Sequence, residues 1–127
     1  MLLKRLLVPI LGIPILCLLL MGCDHDREML IGQWQAVSIT EAGDSMRLNT
    51  DEVGFLFQEN GVYQYFSTLG YQEAGRYRYE RKYLFAKDTT QPNTEERIVA
   101  IDHLTPDSMV MRMQQDSLER IMVFLRK

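Results

Sequence analysis

From residue 33 to the end of the chain, apolar and aromatic positions alternate with polar ones in short runs separated by turn-forming residues. A period of two is typical of β-strands that bury one face. The pattern predicts eight strands, at residues 33–40, 53–58, 62–67, 73–80, 83–87, 96–103, 108–114 and 117–126. On the first strand, the loose alternation puts Trp34, Ala36 and Ser38 on one face. The stretch 113–122 contains helix-favouring residues, but its apolar positions do not repeat at three and four, so we predict a hairpin there.

Short turns join these strands in sequence order. Asn60-Gly61, between two apolar runs, is the strongest turn signal, because a type I′ turn requires positive φ at both central residues. Arg81-Lys82 and the segment 105–108, with Pro106, indicate further tight reversals. Strands connected in this way pair as antiparallel neighbours, and eight of them can close into a barrel. The prediction is therefore an all-β, eight-stranded, antiparallel up-and-down barrel.

The first residues carry a different pattern. An apolar run at 6–21 follows Lys4 and Arg5 and is interrupted by Pro9 and Pro14. A transmembrane anchor needs about 20 apolar residues with few breaks, so the run fits a secretory signal peptide better.

The segment Leu20-Met21-Gly22-Cys23 ends this run and resembles the lipobox of bacterial lipoproteins. The resemblance implies that the Cys23 thiol is diacylated and that the chain is cut on its N-terminal side. The predicted organisation is a signal peptide at 1–22, the lipidated cysteine with a polar tether at 23–28, and a barrel domain at 29–127. Two or three acyl chains attach a protein stably to a membrane.

The implied location is the bacterial cell envelope, with the protein lipid-anchored in the outer membrane on its periplasmic or surface face. Asp24, directly after the cysteine, resembles a signal that retains lipoproteins at the inner membrane. The acid-rich stretch 24–28 resembles a signal for surface export. A plain solvated linker is the third interpretation, and the sequence leaves all three open.

Charge and cysteine content limit the partners. Removing residues 1–22 leaves twelve basic and seventeen acidic residues, a formal charge of −5, which disfavours nucleic acid and anionic bilayer surfaces. Cys17 lies in the signal peptide and Cys23 would be acylated, so no thiol remains for a disulfide or a metal site. An extracytoplasmic domain without disulfides depends on its own core, which favours a closed, well-packed sheet.

Several motifs of the barrel region resemble the lipocalin-like lipoproteins of diderm bacteria. They are Gly32-x-Trp34 on the first strand, the second hairpin at 55–63, and the segments 75–77, 104–109 and 123–126. The resemblance spans nearly all of residues 29–127. It implies a small barrel that binds a partner or a ligand.

The resemblance also implies roles for individual residues. Trp34 would close the floor of the barrel, and Arg126, near the end of the last strand, would pack over its indole ring. A guanidinium over an indole face gains about 0.5 to 2 kcal/mol. The domain is shorter than a typical lipocalin and has no cysteine pair, so whether its barrel contains a cavity stays open.

No combination of residues predicts catalysis. Ser108, His103 and Asp102 could form a triad on paper, but adjacent residues of a strand point to opposite faces, so Asp102 could not orient His103. The potential ligands at 24–26 lie on a tether, which is not a preorganised metal site. We therefore predict that the protein is not an enzyme and has no metal or cofactor besides the lipid on Cys23.

Aromatic and basic side chains supply the candidate binding surface. Tyr77, Arg78 and Tyr79 share one strand, and tyrosine and arginine are enriched at binding hot spots. The alternative is that the tyrosines are barrel-packing residues, which strands favour. The methionines at 109, 111 and 113 fit ordinary core packing.

These observations lead to one main functional hypothesis and two alternatives. The main hypothesis is a non-enzymatic binding domain for a small apolar molecule, a peptide or another envelope protein. The alternatives are an accessory protein that docks to an outer-membrane complex and an inhibitor of an envelope hydrolase. A cavity in the barrel would favour the first.

The lipobox yields the first testable prediction. Cys23→Ser should abolish acylation, because serine lacks the thiol that carries the lipid, and the protein should accumulate as a precursor or in a soluble form. Palmitate labelling and membrane fractionation test this. Membrane association and labelling equal to those of the parent would contradict it.

Overall fold

Nine β-strands follow one another along residues 25–127, the part of the chain that this computed structural model describes. They are β1 (Gly32–Glu41), β2 (Asp44–Ser45), β3 (Gly54–Phe57), β4 (Val62–Phe66), β5 (Gln72–Glu80), β6 (Tyr83–Asp88), β7 (Arg97–Leu104), β8 (Ser108–Gln115) and β9 (Leu118–Arg126). Helical segments lie at 25–30, Thr50–Glu52 and Thr68–Gly70. The predicted signal peptide at 1–22 and Cys23 lie outside the described residues.

Eight of the strands close into a barrel. Each pairs antiparallel with the next in the order β1, β3, β4, β5, β6, β7, β8, β9, and β9 pairs back onto β1. Strand β2 is a two-residue arm on the far end of β1. The predicted eight-stranded antiparallel barrel is therefore confirmed, and residues 113–122 do form a hairpin, with β8 paired to β9. Closure leaves no long strand edge unpaired.

Inward-facing side chains fill the half of the barrel that lies next to the N-terminal end of β1. The fully buried residues of this half include Phe57, Ile101, Met109, Met111 and Phe124. The methionines at 109, 111 and 113 lie on the inner face, as the pattern predicts. None of the helices among residues 25–127 is long and apolar enough to cross a bilayer.

A β-bulge changes the alternation on β1. Ala36 is paired with Phe124 and Ser38 with Val123, so Val37 is an extra residue between them. Trp34 and Ala36 face the core as predicted, but Ser38 is exposed and Ile39 is buried instead. The prediction that Ser38 shares the face of Trp34 is therefore wrong, because a bulge shifts the alternation by one residue.

The turns also differ from the prediction in one respect. At Asn60-Gly61 only the glycine has positive φ, at 84°, and its N–H donates to the carbonyl of Gln58 at 3.2 Å. The predicted type I′ geometry is therefore wrong there. Two consecutive positive φ values occur instead at Arg81-Lys82 and at Asp116-Ser117. These hairpins adopt the twist-compatible turn without the glycine that usually permits it.

A short helix covers the floor, the barrel end that carries the N-terminus and the β3–β4, β5–β6 and β7–β8 turns. This helix, 25–30, includes the described part of the segment predicted as a tether at 23–28. Arg27 donates to the carbonyl of Glu59 in the β3–β4 turn at 2.8 Å. Leu30 is fully buried and belongs to the core. The chain is thus attached to the barrel from the first described turn.

Trp34 and Arg126 close the floor together. The guanidinium carbon of Arg126 lies 4.3 Å from the centroid of the Trp34 ring, in the arrangement that the resemblance implies. The indole is 2% exposed, and its Nε1 donates to the carbonyl of Leu30 at 2.8 Å. The indole N–H thus has a hydrogen-bond acceptor and the ring is buried in the core, as a buried tryptophan requires.

The Arg126 guanidinium also links separate parts of the backbone. It donates to the carbonyls of Met29, Ile31 and Pro106, with 2.7 Å between its Nη1 and the oxygen of Ile31. Gly32 has a φ of 131°, and a Cβ there would collide with Nη1 of Arg126. The glycine of the Gly-x-Trp motif is therefore required both by its backbone conformation and by the space that the arginine occupies.

This arrangement predicts energetic coupling across the floor. Trp34→Ala should lower the free energy of unfolding by about 3 to 5 kcal/mol, because a large buried ring is removed. Arg126→Ala should also destabilise, since each carbonyl that loses its donor costs about 1 to 3 kcal/mol when buried. The double variant should lose at least about 0.5 kcal/mol less than the sum.

Urea unfolding of the four proteins measures this cycle. Arg78→Ala is a suitable control, because Arg78 is an exposed arginine that also lies over an aromatic ring, that of Phe85, at 3.9 Å. It should lower stability by no more than about 1 kcal/mol, the usual value of an exposed contact of this kind. Additive effects of the two floor substitutions would mean that the ring and the guanidinium do not stabilise each other.

Candidate functional site: the barrel cavity

The other half of the barrel contains a cavity of about 600 Å³. It reaches the mouth, the barrel end that carries the β4–β5, β6–β7 and β8–β9 connections. Ser67 and Tyr71 of the first connection and Asp116 of the last belong to its lining. Ligand sites in proteins commonly measure about 300 to 1,000 Å³, so the volume suits one small molecule.

One wall of the cavity is apolar. Its side chains come from β3, β6, β7, β8 and β9 and are Phe55, Leu84, Ala86, Val99, Met113 and Met122. Phe55 is part of an aromatic row, with 4.7 Å between its ring centroid and that of Tyr65. Tyr65 in turn meets Tyr71 edge-on at 6.2 Å. These rings give the cavity an aromatic surface against which an apolar or aromatic group can pack.

The lining also includes a buried carboxylate. Glu73, on β5, is 5% exposed and faces the interior. Its Oε2 accepts from the Tyr63 hydroxyl at 2.7 Å, and its Oε1 accepts from the Tyr71 hydroxyl at 3.2 Å and from Nη2 of Arg97 at 3.0 Å. A charge this deeply buried is tolerated only when it is paired and hydrogen-bonded, and these three donors meet that condition.

The network perturbs the ionisation of its members. Burial, followed by the hydrogen bond and the charge of Glu73, raises the pKa of Tyr63 far above its ordinary value. The pKa of Tyr71 is raised by the same influences. Burial alone would lower the pKa of Arg97, but Glu73 and the tyrosines outweigh it and raise the value. At neutral pH the two tyrosines are thus hydroxyl donors beside one fixed ion pair.

A second ion pair stands at the mouth. Arg120, on β9, donates from Nε at 3.2 Å and from Nη2 at 2.7 Å to Oε2 of Glu41 at the end of β1. Arg120 belongs to the cavity lining, whereas Glu41 closes the pair from the neighbouring strand. The lining thus combines apolar surface with two arginines, each held by a carboxylate.

The comparisons with known proteins concern the fold. No protein-family model matches the sequence, and no curated protein matches it either. Solved structures with a similar fold include a lipocalin-like protein from Bacteroides uniformis ATCC 8492, with a TM-score of 0.58 at 18% identity over 78% of this chain and 99% of that one. The fold is lipocalin-like. An uncharacterized protein from Bacteroides eggerthii DSM 20697 has a TM-score of 0.53 at 17% identity, over 76% of this chain and 98% of that one.

The residues of the predicted binding surface do not share one face of the lipocalin-like barrel. Tyr77 is buried, and its hydroxyl donates to the carbonyl of Gln58 at 2.5 Å. Tyr79 is half-buried on the same inner face. Arg78 points outward, where it lies over Phe85. Tyr77 and Tyr79 therefore act as packing residues, the alternative interpretation of the tyrosines, and neither belongs to the cavity lining.

Ser108, His103 and Asp102 do not form a triad, but the reason differs from the one predicted. A bulge between Ile101 and His103 breaks the alternation of β7, so both Asp102 and His103 are exposed. Asp102 instead accepts from Nε and Nη2 of Arg112 at 2.9 and 3.2 Å. The Ser108 hydroxyl lies 2.9 Å from that of Thr105. Within residues 25–127 no cluster of three or more metal-ligating side chains is found.

The sequence-based predictions do not include Glu73 or Arg97 as site residues. Glu73 could have been identified from its position in the sequence. It lies four residues before Tyr77 along β5, and the odd-numbered residues of this strand face inward. Arg97 likewise lies two residues before the buried Val99 on β7, so alternation places both on the same side of the strand. A charged residue at a core-facing position of a strand is unusual enough to mark a candidate site.

The buried network predicts an unusual response to alkali. Tyr63→Phe should cost about 1 to 3 kcal/mol at neutral pH, because Glu73 loses a donor. In the parent, folding holds Tyr63 neutral, so the stability this provides is fully present below about pH 10 and is lost as pH rises, when unfolded tyrosine ionises. The variant should therefore lose less stability than the parent above about pH 10.

Urea unfolding between about pH 8 and pH 11 measures this difference. Tyr83→Phe is the matched control, because Tyr83 is largely exposed, and it should follow the parent. Equal alkaline slopes for Tyr63→Phe and the parent would contradict the assignment of Tyr63 as a buried donor.

Proposed function

We propose that this protein is a lipid-anchored, non-enzymatic binding domain of the bacterial envelope, whose barrel cavity holds one small molecule. The observation that carries the proposal is the cavity of about 600 Å³, because an accessory barrel with a solid core would not need one. Unfilled core volume costs stability, so a barrel that only supports an assembly gains nothing from leaving half of its interior open.

The lining supports a ligand of mixed polarity. Most binding sites combine an apolar wall with a few fixed polar groups that orient the ligand. Here the apolar wall includes Leu84, Val99 and Met122, and Glu73 with Arg97 provides the polar side. The polar groups are held by hydrogen bonds within the protein, so little ordering is required when a ligand enters.

Binding rather than catalysis is supported by the fold and by how reactive groups are used. Lipocalin-like barrels are typically binding folds. The carboxylate of Asp102 is engaged by Arg112, and the Ser108 hydroxyl lies against Thr105. A nucleophile, its base and the residue that orients the base must lie within hydrogen-bonding reach of one another, and Ser108 and Asp102 interact with other partners instead.

Lipid anchoring at Cys23 would orient the cavity. Residue 25 is the first described residue and lies in the helix that covers the floor, and two residues of chain span at most about 7 Å. A lipid on Cys23 would therefore hold the floor toward the bilayer and turn the mouth away from it. The ligand would then be exchanged with the aqueous space rather than taken directly from the anchoring membrane.

The experiment uses the neutral fluorophore N-phenyl-1-naphthylamine, whose emission increases in apolar surroundings. The soluble domain from residue 24 onward should bind it. Ala86→Phe should weaken binding by at least about tenfold, because Ala86 lines the cavity and the larger ring occupies it. Ala100→Phe is the matched control, since Ala100 lies between the inward-facing Val99 and Ile101 and faces outward.

Fluorescence titration gives the affinities, and thermal unfolding shows that each variant is folded. Equal binding by Ala86→Phe and Ala100→Phe would mean that the probe binds the outer surface. No binding by the parent would contradict a cavity that accepts small molecules.

A further inference from the structure

Arg97 offers unused hydrogen-bond donors to the cavity. It is the first residue of β7, lines the cavity at the mouth, and its side chain is 62% exposed. A guanidinium has five N–H donors. Among the described residues its guanidinium donates to Glu73 through Nη2 and also interacts with the Tyr71 hydroxyl, so part of its fork remains available to a ligand.

Glu73 fixes this guanidinium but is not itself available to a ligand. Its side chain is 4% exposed, and its two oxygens already accept from Tyr63, Tyr71 and Arg97. A cationic ligand would have to displace one of these donors and approach the positive charge of Arg97. The accessible charge of the polar wall is therefore the cation.

We propose that Arg97 binds the acidic head group of an amphipathic organic acid whose apolar body lies in the cavity. The inference rests on the proposed binding function and names the ligand class of the same site. A planar guanidinium matches the geometry of a carboxylate or sulfonate, and such charge-assisted pairs are stronger than neutral hydrogen bonds. The apolar body would lie deeper, against Leu84, Val99 and Met122.

Arg120 is less suited to this role. Its Nε and Nη2 both donate to Glu41, which occupies one edge of the guanidinium, and its side chain is 24% exposed against 62% for Arg97. Arg97, in contrast, uses Nη2 alone for its hydrogen bond to Glu73. The two arginines lie on the same rim, and the difference in pairing selects Arg97.

The formal charge of −5 does not oppose this assignment at close range. Charges farther than about 8 Å apart are largely screened at physiological ionic strength. Inside the mouth the head group would meet the guanidinium directly, whereas the exposed carboxylates lie in water. The overall charge would slow the approach of an anion more than it would weaken the final contact.

The experiment compares two probes with the same ring system. One is 8-anilinonaphthalene-1-sulfonate, which is anionic, and the other is N-phenyl-1-naphthylamine, which lacks the sulfonate. Arg97→Gln should weaken binding of the anionic probe by at least about tenfold, the usual order for losing one charge-assisted pair, and change that of the neutral probe by less than about twofold. Arg97→Lys, which keeps the charge but loses the fork, should fall between the parent and Arg97→Gln.

Arg112→Gln is the matched control, because Arg112 pairs with Asp102 on the outer face. It should leave both affinities unchanged. An anionic-probe affinity that Arg97→Gln does not alter, or an equal loss for both probes, would overturn the proposal while leaving the cavity a binding site. Failure of the parent to bind either probe would overturn the proposed function as well.

Discussion

Arg126 joins the beginning and the end of the barrel in one contact. Its side chain leaves the last strand, covers the Trp34 ring at 4.3 Å and donates to carbonyls that precede the first strand and follow the seventh. The sheet can close between β1 and β9 without this contact, but the end of the barrel would then be open to water. A lysine could not replace it, because only a planar fork reaches several carbonyls while stacking on an indole. Gly32 is the local condition for this contact, since any side chain there would meet the guanidinium.

The closed floor determines where function can lie. Among the described residues, buried side chains fill the floor half of the barrel, and the cavity opens at the mouth. Polar groups are costly in such an interior, and a carboxylate with no partner would be the most costly of all. Glu73 avoids that cost through three donors, one of which, Arg97, still reaches solvent. The buried Glu73 carboxylate thus holds the exposed Arg97 guanidinium in place at the edge of an apolar cavity.

Much of this architecture could be predicted from sequence, because strand alternation and short turns are local properties. The bulges at Val37 and near Asp102 could not, since the residue that a bulge inserts is chosen by pairing with the neighbouring strand. The reversal at Arg81-Lys82 was predicted, but its two positive φ values were not, because neither residue favours positive φ. The parity of Glu73 and Arg97 was readable, but their contact depends on where two strands end across the mouth. Long-range geometry, rather than composition, therefore decides the candidate site.

The two halves of the barrel divide stability from binding. The floor half contains the interdigitated rings, methionines and aliphatic side chains that supply most of the buried apolar surface. The mouth half contains less apolar packing because the cavity lies there. Glu73 and its hydrogen-bond donors form a network in this half, which stabilises the fold less than packing would but holds charged groups in position. Substitutions at the mouth can thus alter the cavity without removing what holds the barrel closed. A small fold without disulfides can afford a cavity only because its other end is so completely filled.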